Sequence, residues 1–100
     1  MQVKRAIVLH EDDNVATLID SGAAGEVVRL TGAGQGEVML ADDVPYGHKC
    51  TTVPIAAGEA VRKYGQVIGR ATQAIAVGRH AHVHNVEALR GRGDLEERAP

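Results

Sequence analysis

The stretch from Pro45 to Asn85, PYGHKCTTVPIAAGEAVRKYGQVIGRATQAIAVGRHAHVHN, decides how this chain folds. It contains a weak internal repeat: Ile55-Ala56-Ala57-Gly58-Glu59-Ala60-Val61 recurs, 20 residues on, as Ile75-Ala76-Val77-Gly78-Arg79-His80-Ala81. Each copy runs from an apolar residue through a two-residue spacer to a glycine, then returns to apolar residues. Glycine reaches backbone angles that other residues avoid, so the pattern predicts tight turns between short strands. The same stretch carries His48, His80, His82 and His84, the lysines Lys49 and Lys63, and both tyrosines. The residues before Pro45 read as a lead-in strand, a short helix and further short strands. Those beyond Arg90 read as a tail.

Composition agrees with that reading. A chain of 100 residues is one small domain with a modest core. Without Phe or Trp, the core has to come from Val, Ile, Leu and Ala. The 12 glycines point to many turns and argue against a helical bundle. A net charge of −2 with mixed signs gives no basic stripe for nucleic acid, and two tyrosines with no Phe or Trp make no platform for base stacking. The single Cys50 has no internal disulfide partner and fits a reducing compartment. Val3–Leu9 is too short for a secretory core, and no run approaches a membrane span. A cytoplasmic protein is the expectation.

Along the chain, Val3–Leu9 is predicted as a strand. Asp13 and Asn14 have the chemistry of helix caps, and Val15, Leu18 and Ile19 share a face at helical spacing, predicting a short helix over 15–20. Short strands are predicted over 26–30, 37–40, 49–55, 60–64 and 66–68, with a further helical turn over 69–74. Gly32, Gly34 and Gly36 read as a hairpin loop, because the Lys-Ser/Thr ending of a phosphate loop is missing. Residues 1–90 form the domain; 91–100 form a flexible charged tail.

His82 and His84 flank Val83 and would share one strand face about 7 Å apart, a spacing that lets both reach one metal ion. The competing reading is a wet strand face. His10 lies between strand and helix, where loops present functional groups. Gly47-His48-Lys49 offers a base or ligand beside a cation, on a backbone a ligand can approach closely. Lys63-Tyr64-Gly65 sets a cation and a phenol at a turn. His80 reads as an exposed turn residue and Cys50 as a buried structural thiol. No self-contained catalytic motif results, so any chemistry is expected to be completed by another chain.

Taken in order, His10-x-x-Asp13-Asn14-Val15, Gly47-His48-Lys49, Lys63-Tyr64-Gly65-x-x-Ile68-Gly69 and Val83-His84-Asn85 resemble the N-terminal SAF domain of the altronate/galactarate dehydratase family. The resemblance spans roughly residues 3–94 and extends to the small subunit of sulfolactate sulfo-lyase. It implies a mainly β fold, the SAF-type β-clip of short strands and tight turns with one or two short helices. It implies a small subunit of a heteromeric hydro-lyase. That enzyme would dehydrate a sugar acid to a 2-keto-3-deoxy acid, completed by a large catalytic subunit and sharing Fe²⁺ or another divalent metal with it. The residues carried over are His10, His48, His84 and Lys63 as catalytic candidates, and Asp13, Asn14, Lys49 and Asn85 as substrate-binding candidates. His82 and His84 are the metal candidates. The alternatives are a non-catalytic β-clip that binds a sugar acid or a partner protein, and a sulfo-lyase subunit.

Overall fold

Turns of one kind set the strand directions in this chain. The computed structural model describes residues 3–88. In it, Ala23–Glu26, Pro45–His48, Ala56–Glu59 and Ala76–Arg79 each close with a backbone bond from the fourth N–H to the first carbonyl, at 3.0, 3.0, 3.0 and 3.3 Å. The third residue of each is a glycine at positive φ: Gly25, Gly47, Gly58 and Gly78, at 91°, 83°, 86° and 84°. That is the geometry of a type II turn, which needs a residue free of Cβ strain at its third position. The turns are clasped in pairs. Gly22 and Val44 exchange two backbone bonds, and so do Ile55 and Ile75. The repeat visible around Gly58 and Gly78 is therefore one of two such units.

The strands are short. They are β1 (Lys4–Val8), β2 (Val15–Leu18), β3 (Val27–Gly32), β4 (Glu37–Met39), β5 (Lys49–Thr51), β6 (Ala60–Lys63), β7 (Gln66–Ala71), β8 (His80–Ala81) and β9 (Val86–Ala88). They form a sheet in the order β4-β3-β1-β2-β5-β8 and a smaller one in the order β6-β7-β9. β1 runs parallel to β3 and antiparallel to β2. The chain is mainly β, as the β-clip resemblance implies.

The expected helices are not present among the described residues. Residues 15–18 are β2, a strand paired on both sides by β1 and β5. Val15, Ala16 and Leu18 are all buried, because the strand has apolar neighbours on both faces. Two-sided burial mimics helical spacing, and the β-branched Val15 and Thr17 favour the strand. Likewise 69–71 continue β7 instead of starting a helical turn. With no helix to cap, Asp13 and Asn14 do other work. The expected tail over 91–100 lies outside the described residues.

Two apolar clusters make the core. One gathers Ala6, Leu18, Val28, Leu40 and Val44, with Cys50 fully buried among them. The other gathers Val15, Ile55, Val61, Ala71, Ile75 and Ala81. Fully burying a Val, Leu or Ile contributes about 1.5–3 kcal/mol. β2 joins the clusters, giving Ala16 and Leu18 to the first and Val15 to the second. No helix of the described residues is long and apolar enough to cross a membrane.

The turns and the core can each be tested by one measurement. A Cβ at Gly58 would point into open space, whereas one at Gly78 would strike the carbonyl oxygen of Met39. Gly58→Ala should cost about 1–2 kcal/mol for its left-handed backbone alone, and Gly78→Ala clearly more; equal urea midpoints for the two variants would refute the difference. Burial pushes the Cys50 thiol up to about 11. Ellman's reagent at neutral pH should leave the native thiol unmodified and react at once in urea.

Candidate functional site

Several of the candidate side chains gather where β5 meets β8. Cys50 pairs with His80 and Lys49 with Ala81. Carrying this antiparallel register one pair further sets His48 opposite His82, and their ring centroids lie 4.6 Å apart. His80 is diagonal to His48, its Nε2 2.9 Å from His48 Nδ1. The His80 and His82 rings stack at 5.2 Å, within 10° of parallel. One ring nitrogen from each of His48, His80 and His82 lies within 4.8 Å of the other two. Three imidazoles so placed are a donor set suited to zinc or ferrous iron.

The metal pair expected from sequence is regrouped by this geometry. Residues 82–85 do not continue the strand. They form a turn, with Asn85 N–H and Val86 N–H both donating to the His82 carbonyl at 3.0 and 2.9 Å. The shared strand face inferred for His82 and His84 is therefore absent. His82 turns back to His48 and His80, while His84 meets the ring of His80, at 5.6 Å. Asn85 causes the turn. It is 5% exposed. Its Oδ1 accepts from His82 N–H at 2.9 Å and its Nδ2 donates to the His80 carbonyl at 2.9 Å.

His80, read from sequence as an exposed turn residue, is half-buried at the centre of the cluster. Asp42, which sequence reasoning passed over, fixes it: Asp42 Oδ2 accepts from His80 N–H at 3.0 Å and Oδ1 accepts from Arg79 Nη1 at 3.1 Å. A signal was available. Each turn glycine precedes a strand by two residues, so Gly78 puts His80 at a strand start just as Gly47 does for Lys49.

The remaining candidates build a second corner. Asp13 Oδ2 and Oδ1 accept from the N–H groups of Tyr64 and Gly65, at 3.0 and 2.8 Å. Asn14 Oδ1 accepts from Arg62 N–H at 2.8 Å, and its Nδ2 donates to the Ala60 carbonyl at 2.9 Å. Both side chains thus hold the β6–β7 hairpin, whose turn puts Tyr64 at φ 61°. The His10 ring packs on Gly65, where a Cβ would lie 2.9 Å from ring carbons. His10 is not part of the imidazole group. The hairpin brings the Lys63 cation close enough to act on Lys49.

Charge is concentrated here. Partial burial, then the Lys63 cation, lower the Lys49 pKa. None of the ion pairs among the described residues involves either amine. Burial lowers the His80 pKa, helped by His48, His82 and His84 and opposed by Asp42. Desolvation, His48, Lys49 and His84 lower that of His82. Both imidazoles are therefore neutral at pH 7, the form that binds metal or accepts a proton.

The fold is a β-clip that carries imidazoles and amines at one edge. Residues 4–89 match the altronate/galactarate dehydratase SAF domain, and the chain belongs to that family. It is 34% identical over 85 residues to altronate dehydratase of Bacillus subtilis (strain 168), covering 85% of this chain and 16% of that protein. To altronate dehydratase of Escherichia coli (strain K12) it is 42% identical over 79 residues, covering 79% of this chain and 15% of the relative. To (2R)-sulfolactate sulfo-lyase subunit alpha of Chromohalobacter salexigens it is 36% identical over 88 residues, 83% of this chain and 94% of that subunit. The chain thus spans under a fifth of the dehydratases and nearly all of the sulfo-lyase subunit.

The depressed histidines predict a pH dependence. An unfolded histidine titrates near 6.5, and His80 and His82 below it when folded. Below pH 6.5 the unfolded chain binds more protons, so stability present above that pH is lost as pH falls toward the folded values. Asp20, held below its usual 3.8 chiefly by its hydrogen bond from Arg5, contributes only at lower pH. In EDTA-containing buffer the urea midpoint should drop from pH 7.5 to 5, and His80→Gln should shrink that drop. Identical drops would remove the histidines as its cause.

Proposed function

We propose that this chain is the small subunit of a cytoplasmic hydro-lyase that dehydrates a sugar acid, working with a separate large catalytic chain. One observation carries the reading: the His48–His80–His82 group stands beside two lysines that have no carboxylate partner among the described residues. Two close amines favour an anion, and a substrate carboxylate at Lys49 and Lys63 would relieve their repulsion. A divalent metal such as Fe²⁺ would be held by His48, His80 and His82. Bound there, it would supply Lewis-acid stabilisation of developing negative charge.

The reaction is a β-elimination from a 2,3-dihydroxy acid. A base removes the proton at C2, and the C–H electron pair becomes the C2–C3 double bond. The C3–O bond breaks, and the departing oxygen takes a proton to leave as water. The resulting enol tautomerises to the 2-keto-3-deoxy acid. His84, beside His80 but outside the three-histidine group, is the proton-transfer candidate of this chain. His10 and Lys63 reach the reaction through the hairpin they share with Asp13 and Asn14. The large chain completes the site, since a module this size encloses little volume.

A sulfo-lyase subunit is the second reading. It is favoured by the 94% coverage of the sulfolactate sulfo-lyase alpha subunit. The elimination is the same in outline, with sulfite as the leaving group.

Anaerobic titration with Fe²⁺, and with Zn²⁺ in calorimetry, tests the metal role. His48→Ala, His80→Ala and His82→Ala should each weaken binding by at least about tenfold, and His84→Ala much less. Equal affinity in all four variants would reject the three-histidine site. Mixing the chain with a co-purified dehydratase-like large chain should form keto acid from galactarate or altronate only when both are present. Keto acid from sulfolactate alone would replace the first reading by the second, and activity of the large chain without this one would sink both.

A further inference from the structure

His80 and His84 also border a cavity on the side of His80 away from His48 and His82. This cavity, of about 320 Å³, is lined by Asp42, Gln73, Ile75, Arg79, His80 and His84, among others. Neither His48 nor His82 lines it, so His80 is the one member of the three-histidine group that borders this cavity. Its volume falls in the range of small-molecule sites, about 300–1,000 Å³.

The lining has a definite chemical character. Asp42 is held in place by His80 N–H and Arg79 Nη1. Each of those bonds occupies one lone pair of a carboxylate oxygen, leaving others free to accept. Arg79 keeps further N–H donors. Gln73 is exposed, and no described group takes a hydrogen bond from its side-chain amide. His84 adds a ring that donates or accepts. Ile75 gives an apolar floor. A hydroxyl both donates and accepts, so donors and acceptors set around an apolar patch suit a carbon chain bearing several hydroxyls. They suit a second carboxylate poorly, because Asp42 already neutralises Arg79.

We infer that this cavity is a subsite for the hydroxylated tail of a sugar acid, which makes the module selective for long polyhydroxy acids over short hydroxy acids. The inference rests on the proposed anchoring of the substrate carboxylate at Lys49 and Lys63. A short acid anchored there reaches only the imidazoles. A longer one extends past His80, where its hydroxyls donate to the Asp42 carboxylate and exchange hydrogen bonds with Gln73 and His84.

The test is an amide chemical-shift titration of the full chain with altronate, which has a single carboxylate and a hydroxylated tail, and, separately, with lactate. Altronate should shift the signals of residues 73–76, of His80 and of the Gln73 side-chain amide, together with those around Lys49 and Lys63. Lactate should shift only the latter. Gln73→Ala, at an exposed position, should weaken altronate about fivefold, the equivalent of one lost hydrogen bond, and leave lactate unchanged. If both acids shift the same residues, and Gln73→Ala binds both as the parent does, the subsite is refuted while the anchor stands. If neither acid shifts the signals around Lys49 and Lys63, the anchor itself is refuted and the subsite falls with it.

Discussion

The approach of Gly78 to the backbone of Met39 and Ala41 is the constraint on which the histidine-bearing edge depends. Gly78 carbonyl accepts from Ala41 N–H at 2.8 Å, and Gly78 N–H donates to the Thr51 carbonyl at 3.0 Å. Only a residue without Cβ can lie so close. The contact seats the last turn against the loop that starts at Ala41, which puts Arg79 and His80 on Asp42. Thr51 adds a bond from its hydroxyl to the Ala76 carbonyl at 2.7 Å, so the turn is held from two sides. From there β8 continues the chain, and with it come the ring positions of His80 and His82. A backbone packing requirement thus determines where a group of imidazoles meets.

Polar side chains complete what short strands leave open. Strands of two to six residues make few ladder bonds, and a core without Phe or Trp adds limited area. Asp13, Asn14, Asp42 and Asn85 fill the gap by bonding backbone groups remote in sequence or across a turn. A satisfied hydrogen bond of this kind is worth about 1 kcal/mol net, and leaving its buried partner unpaired costs more. Asp13 and Asn14 are the stitching between the sheets, since they project from the loop before β2 onto β6 and its hairpin. Losing either would free the hairpin that carries Lys63 before it disturbed the core.

Some of this was legible in the chain and some was not. The turns at Gly58 and Gly78 show because both copies keep an isoleucine three residues before the glycine. The equivalent turns at Gly25 and Gly47 are disguised by Gly22 and Val44 at that position and by Pro45-Tyr46 inside the second. Asp13 and Asn14 were recognisable as residues that bond backbone N–H groups. The partner was not, because the hairpin they hold is some fifty residues away. Val15–Leu18 misled because a strand buried on both faces has no alternation to show. His82 and His84 misled for the opposite reason: their alternation is real in sequence, but Asn85 curls the chain before a strand can use it. The β5–β8 register, which pairs residues thirty apart, decides which histidines meet, and no local pattern encodes it.

The electrostatics of the edge explain why these groups belong together. His48, His80, His82 and His84 are linked by ring contacts, and each proton added to the group raises the cost of the next. Burial and these neighbours hold the His80 and His82 pKa values down, and a neutral imidazole offers its ring nitrogen to a cation. Nearby, Lys49 and Lys63 repel each other, and an anion would relieve them. An edge that invites a cation at one point and an anion at the next is complementary to a carboxylate paired with a metal ion. Either ligand alone would leave half the imbalance in place. On the proposed reading, metal and acid should therefore bind cooperatively, because each neutralises the field that the other must enter.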